Sequence, residues 1–173
     1  MQVYEYCSAI GQDSHRFMSA DEWAGQPERR LVLAGVVLPD ETPLSGNSDA
    51  DVILHALTNA ISGVSGINIL GKISDRLCLE QGITDSSAYL REALSTLAEW
   101  QITHVSLSLE GKKPKFAPVI PAMKNRLAAL LGLQPQDIGL TATSGEGLTA
   151  FGRGEGLQAL CVVTARKTIY SKY

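Results

Sequence analysis

Between residues 102 and 110 apolar and polar positions alternate, placing Thr103, Val105, Leu107 and Leu109 on one face, which predicts a strand with one buried side. A different period governs residues 49–62. There Val52, Ile53, Ala56, Leu57, Ala60 and Ile61 form the apolar side of a helix capped by Ser48 or Asp49, and Asp51, His55, Thr58, Asn59 and Ser62 form a polar stripe opposite. Leu90, Ala93, Leu94 and Leu97 recur at helical spacing behind Thr84-Asp85-Ser86, predicting a second helix over 85–100, and 121–131, stopped by Gly132, predicts a third. Residues 30–38 are apolar and β-branched before Pro39-Asp40 and read as one strand; 138–143 and 157–167 are further strands. Residues 42–47 and 112–118 are loops, the glycine-dense stretch 145–156 fits no regular element, and the polar segment 11–29 has room for an insertion. Helices and strands thus alternate around one sheet, in an α+β or α/β layout without internal repeats.

Composition narrows the class. A chain of 173 residues, 45% hydrophobic and 19% charged, can bury one core, so a single domain over 1–173 is expected. The net charge of -3 argues against a nucleic-acid partner, which requires clustered Lys and Arg. The longest basic cluster, Lys112, Lys113 and Lys115, suits one phosphate group or a plain solvated loop equally. Cys7, Cys78 and Cys161 are an odd set without a C-x-x-C pair, which fits a reducing compartment and no disulfide framework. No apolar run reaches about 18 residues and no leader pattern is visible, so the expectation is a cytoplasmic protein with no membrane partner, or an organelle stroma if a transit segment has been removed.

Three histidines are candidates for chemistry. Asp13 and His15 are two apart, which on an extended backbone turns both side chains to one face. His55 on the helical stripe is the natural third ligand, with Asp51 one turn earlier as a group that could orient its ring. Two histidines and a carboxylate leave one coordination position of a tetrahedral zinc open, as in catalytic sites; D-x-H is also common by chance. His104, beside Ser106 and Ser108 on the polar face of its strand, reads as structural or interfacial. Thr143-Ser-Gly-Glu-Gly147 offers hydroxyls, glycine-freed N–H groups and a carboxylate, suited to a phosphate with Mg²⁺ or to an ordinary turn. Gly152-Arg-Gly-Glu-Gly156 could hold an anion or pair Arg153 with Glu155. There is no G-x-S-x-G elbow for a nucleophilic serine.

Taken in order, Gly11-Gln-Asp-Ser-His15, Asn47-Ser-Asp-Ala-Asp-Val-Ile-Leu-His-Ala56, Asp85-Ser-Ser-Ala-Tyr-Leu90, Pro114-Lys115 with Met123 downstream, and Ala142-Thr-Ser-Gly-Glu146 through Gly152-Arg-Gly-Glu-Gly156 span nearly the whole chain. Together they resemble the 2-C-methyl-D-erythritol 2,4-cyclodiphosphate synthases. The resemblance implies a single α+β domain, a mixed β-sheet covered by helices on one side, assembled as a homotrimer around its sheets with active sites between subunits. It implies attack of the 2-phosphate of 4-diphosphocytidyl-2-C-methyl-D-erythritol 2-phosphate on its own β-phosphorus, with loss of CMP. Asp13, His15 and His55 match ligands of one Zn²⁺, and Glu146 matches the carboxylate that reaches a substrate-bound Mg²⁺ or Mn²⁺. Gly111, Pro114, Lys115, Phe116, Ala117, Ala142 and Thr143 match segments holding cytidine and phosphates, and Ser48, Gly71 and Arg153 match further substrate contacts. Asn47 and Ser144 stand at the catalytic positions where the family pattern has histidine and threonine. Ile69, Ser74 and Asn59 replace a carboxylate, an aromatic and a carboxylate, so the polyol end departs most. A second reading is a trimeric homologue that binds a nucleotide or isoprenoid diphosphate without turnover.

Overall fold

A computed structural model of the chain describes residues 2–169. Four long strands make a mixed sheet in the order β1-β6-β4-β5, where β1 is Val3–Arg16, β4 is Gln101–Glu110, β5 is Ile138–Thr143 and β6 is Gly156–Ile169. β6 runs antiparallel to both neighbours, and β4 and β5 run parallel. β4 buries Val105, Leu107 and Leu109, as its alternation predicts.

Helix α2 (Val52–Ser65) lies across β1 and β6, helix α4 (Ser86–Ser95) packs on α2, and helix α5 (Ile120–Leu131) sits beside β5. Helices cover this one face, and Leu54, Leu57, Ile61, Leu90, Met123, Leu127 and Val163 share its core. Burying such side chains stabilises by about 1.5–3 kcal/mol each. β1 and α2 approach so closely that a Cβ on Gly11 would overlap the backbone of Ala56 and Ala60. The opposite face carries Ile10, Leu160 and Val162 at 67%, 37% and 40% exposure. These align across β1 and β6, with Ile10 opposite Val162 and Gln12 opposite Leu160.

Several expectations change. Residues 30–38 form a hairpin, β2 (Leu31–Leu33) and β3 (Val36–Leu38), rather than one strand. The chain reverses at Ala34 and Gly35, both at positive φ (55° and 70°), the geometry of a two-residue hairpin turn. The cap of α2 is Asp51, not Ser48 or Asp49: its carboxylate accepts from the N–H groups of Ile53 and Leu54. The same carboxylate accepts from Ala34 and Gly35, so Asp51 joins helix start to hairpin and is not the partner of His55. The supposed polar stripe is largely interior, with Asp51, His55, Thr58 and Ser62 all buried, because β1 and α4 close over it.

The polar segment 11–29 is not an insertion. Residues through Arg16 belong to β1, and α1 (Ala20–Ala24) follows with a Ser19–Glu22 capping box, tied back by Arg16 to the Glu22 carboxylate. Past α2 come α3 (Lys72–Asp75) and a π-turn, Arg76–Glu80. α4 stops at Ser95, short of Trp100, where Thr96 caps it and Ala98 takes positive φ. No helix among the described residues is long and apolar enough to cross a membrane.

Candidate active site

β1 delivers Asp13 and His15 on the side facing α2, where His55 stands one turn in from the helix start. Asp13 Oδ2 lies 3.0 Å from His15 Nε2 and 3.0 Å from His55 Nδ1, and the two nitrogens are 3.3 Å apart. Donors about 2.0–2.1 Å from a tetrahedral zinc stand roughly 3.3 Å from one another, so the triangle is already of the size that ion requires. Proton placement fits as well. His15 Nδ1 is 2.8 Å from the Ser45 carbonyl, which can only accept, so Nδ1 carries the proton and Nε2 turns a lone pair toward the Asp13 carboxylate. Electron pairs meeting this way repel unless a cation or a proton lies between them. The three side chains could therefore hold a metal ion, as they group on distance alone.

Without a metal the triangle retains protons. Burial opposes ionisation of Asp13, yet hydrogen bonds from His15 and His55 outweigh it and hold the carboxyl at about 2. Burial lowers His15, but the Asp13 hydrogen bond and charge and the Ser45 carbonyl raise it above its ordinary value. The loop behind His15 is held by Arg29, whose guanidinium donates to the carbonyls of Leu44, Gly46 and Ser48.

The triad opens into a cavity of about 220 Å³ lined also by Asn47, Ser48, Leu70, Ser74, Asp75, Cys78 and Tyr89. Ser48 Oγ accepts from Ala50 N–H and lies 3.4 Å from His55 Nε2. Asn47 is exposed at the rim, and its carbonyl accepts from Cys78 Sγ–H. Gly71 adjoins the lining residue Leu70; its N–H donates to Ser74 Oγ and its carbonyl accepts from it, so Ser74 is committed to its own turn. Ile69, 1% exposed, is part of the core.

A second cavity, about 500 Å³, gathers Gly111, Pro114, Lys115, Phe116, Ala117, Ala142, Thr143 and Ser144. These residues come from the end of β4, the loop after it and the end of β5. An adjoining cavity of about 330 Å³ is lined by Lys112, Ser144, Glu146, Gly147 and Gly152. Ser144 Oγ–H donates to Glu146 Oε1 at 3.1 Å, and Glu146 sits at φ 49°, projecting from a tight turn. Arg153 pairs with Glu155 at 2.8 Å and lines neither cavity, so it stands apart from the other expected contacts. His104 is exposed on the open sheet face.

Within one chain the triad and the Glu146 turn do not meet. Both lie at the same end of the sheet, but the triad is on β1 and the turn follows β5, three strand spacings or roughly 14 Å across. Two groups beside His55 escape the sequence reading. Ser86 Oγ is 2.8 Å from His55 Nε2, and Asp49 accepts from both the hydroxyl and the N–H of Ser86. Asp49 and Ser86 are 37 residues apart, and only the Ser48-Asp49 and Asp85-Ser86 helix-start signals mark them.

The profile of the YgbB family matches residues 6–166. A 2-C-methyl-D-erythritol 2,4-cyclodiphosphate synthase from Chlamydia caviae is 46% identical over 160 residues, covering 92% of this chain and 88% of its own. The bifunctional IspDF from Campylobacter jejuni superposes with a TM-score of 0.83 at 27% identity, over 95% of this chain and 43% of that longer one. A 2C-methyl-D-erythritol-2,4-cyclodiphosphate synthase in its CDP-bound form superposes at 0.72 with 30% identity, over 92% of this chain and 99% of the other. With this match over nearly its full length, the chain belongs to the YgbB family, that of the 2-C-methyl-D-erythritol 2,4-cyclodiphosphate synthases.

Proposed function

We propose that the chain converts 4-diphosphocytidyl-2-C-methyl-D-erythritol 2-phosphate to 2-C-methyl-D-erythritol 2,4-cyclodiphosphate and CMP, as a cyclising phosphorus-oxygen lyase of non-mevalonate isoprenoid biosynthesis. The convergence of Asp13, His15 and His55 in a chain 46% identical to a synthase of that name carries the reading. We assign one Zn²⁺ per chain to this triad, and Mg²⁺ or Mn²⁺, arriving with substrate, to Glu146. When bound, such cations supply Lewis acidity and neutralise diphosphate charge.

The chain's own residues align and shield the reacting groups. Intramolecular attack on a diphosphate depends on alignment and charge more than on a strong acid or base. Asn47, at the rim of the triad cavity, can donate an uncharged hydrogen bond to a phosphate oxygen, and Ser144 offers its hydroxyl from the other cavity. Lys112 and Lys115 place positive charge beside Gly111, Pro114, Phe116, Ala117, Ala142 and Thr143, where we seat the cytidine and its phosphates. A relative whose structure is its CDP-bound form supports a cytidine nucleotide as the ligand. Ser48 and Gly71 belong to the triad side, and Arg153 becomes a substrate contact only if it leaves Glu155. Leu70 and Tyr89 wall the triad cavity against water, whose attack would compete with ring closure.

The assembly we assign is a homotrimer. Ile10, Leu160 and Val162 give the uncovered sheet face an apolar surface for neighbouring sheets, and the separation of the two half-sites suits completion by an adjacent subunit. Free cysteines fit a cytoplasmic setting.

Incubated with the cytidylylated substrate and Mg²⁺, the protein is expected to yield CMP and the cyclic product in equal amounts by phosphorus NMR. CMP beside an open-chain product would indicate a hydrolase and overturn the assignment. Zinc-loaded protein without turnover would indicate the binding homologue instead.

A further inference from the structure

We propose that Ser86 and Asp49 are positioning residues of the metal site: they fix which nitrogen of His55 is free to bind a cation. The inference rests on the metal reading of Asp13, His15 and His55 and adds two residues that touch neither substrate nor metal.

Proton direction carries the argument. The Asp49 carboxylate accepts the Ser86 N–H at 3.0 Å and, from the other oxygen, the Ser86 hydroxyl. An ionised carboxylate only accepts, so the single hydroxyl proton of Ser86 is spent on Asp49. What Ser86 Oγ presents to His55 Nε2, 2.8 Å away, is a lone pair. In the neutral ring this places the imidazole proton on Nε2 and leaves Nδ1 a lone pair for a cation held with Asp13 and His15, whereas a doubly protonated ring in metal-free protein donates from Nδ1 to Asp13. The other neighbour of Nε2, Ser48 Oγ, is farther at 3.4 Å; it accepts from Ala50 N–H and keeps its own hydroxyl proton, so the shorter Ser86 contact decides the tautomer.

The arrangement is rigid. Ser86 is fully buried at the first position of α4, and Asp49 is fastened by its own N–H to the Thr84 carbonyl and by the Asp51 N–H to its carboxylate. α4 thereby reaches across α2 to set the orientation of a ring on that helix. A carboxylate acting through one hydroxyl also raises the basicity of the ligating nitrogen, as a carboxylate bonded directly to a ligating histidine does.

The test uses the intact chain and Zn²⁺ alone, with binding read by chelator competition, beside long-range ¹H–¹⁵N NMR of metal-free protein followed to alkaline pH. Ser86→Ala is expected to weaken zinc binding about 10- to 100-fold and to turn His55 from the Nε2–H form to a mixture of tautomers. Asp49→Asn should shift both readouts in the same direction by less, and it decides the matter if Ser86→Ala does not fold. Unchanged affinity and an unchanged tautomer, with only a lower melting temperature, would overturn the proposal by showing a purely structural role. If wild-type protein binds no zinc, the metal reading fails, while the tautomer in wild type and variants still decides whether Ser86 and Asp49 set the ring.

Discussion

Asp13 and His15 bind protons in opposite senses relative to the unfolded chain, and this makes the pH response of the triad specific. Asp13 is held at about 2 against an ordinary 3.8, so its contribution to stability is present above 3.8 and is lost as pH falls toward 2. His15 is raised above 6.5, so its contribution is present below 6.5 and is lost as pH rises through its folded value. Metal-free protein should be stabilised most by the pair between pH 3.8 and 6.5. Metal binding requires the His15 proton to leave Nε2, so zinc affinity should strengthen as pH rises toward the folded value of His15, which lies above the ordinary one. Thermal midpoints across pH, with zinc and with a chelator, check both limbs; parallel limbs would count against the triad as the metal site. At this scale the candidate triad is legible in the sequence, because a two-residue spacing on an extended backbone turns Asp13 and His15 to one face and His55 stands out on its helical stripe. Their supports are not: the Ser45 carbonyl, Arg29 and Asp49 come from loops and Ser86 from the start of α4, at sequence separations that no local period encodes.

Element by element, the packing of β1 against α2 decides whether the ligands meet at all. Gly11 leaves room for the Ala56 carbonyl and the Ala60 N–H to lie directly on the strand, two residues before Asp13. Gly11→Ala should destabilise by about 1–3 kcal/mol, the usual range for overpacking, and should weaken zinc binding because His55 rides on the displaced helix. Urea denaturation with zinc titration measures both; a loss of stability with full zinc affinity would show that the helix yields elsewhere. β4, β5 and α5 were readable because one face of each is apolar at a regular period. β1 was not, since its inward side carries small or polar residues such as Ala9, Gly11 and Asp13 while its outward side carries Tyr6 and Ile10. That inverts the usual contrast. The hairpin at Ala34-Gly35 was hidden for another reason: alanine at positive φ carries no composition signal, and the turn depends on the Asp51 carboxylate 16 and 17 residues away.

For the whole molecule, the resemblance read from ordered motifs conveyed the α+β layout and one-sided helical cover, whereas the distance between the two half-sites follows only from strand order. Asp13 and His15 stand on one edge strand with His55 facing them from α2, and Ser144 and Glu146 follow the other edge strand. In the proposed trimer each working site joins the first edge of one subunit to the second edge of its neighbour. His55→Ala and Glu146→Ala proteins, each inactive alone, should therefore regain about a quarter of wild-type turnover per site after random co-assembly, because a quarter of neighbouring pairs combine two intact halves. No recovery after verified subunit exchange would place both halves of a site within one chain. The same geometry has a genetic consequence: two defective alleles, damaged at opposite edges of the sheet, can sustain a cell together that neither sustains alone.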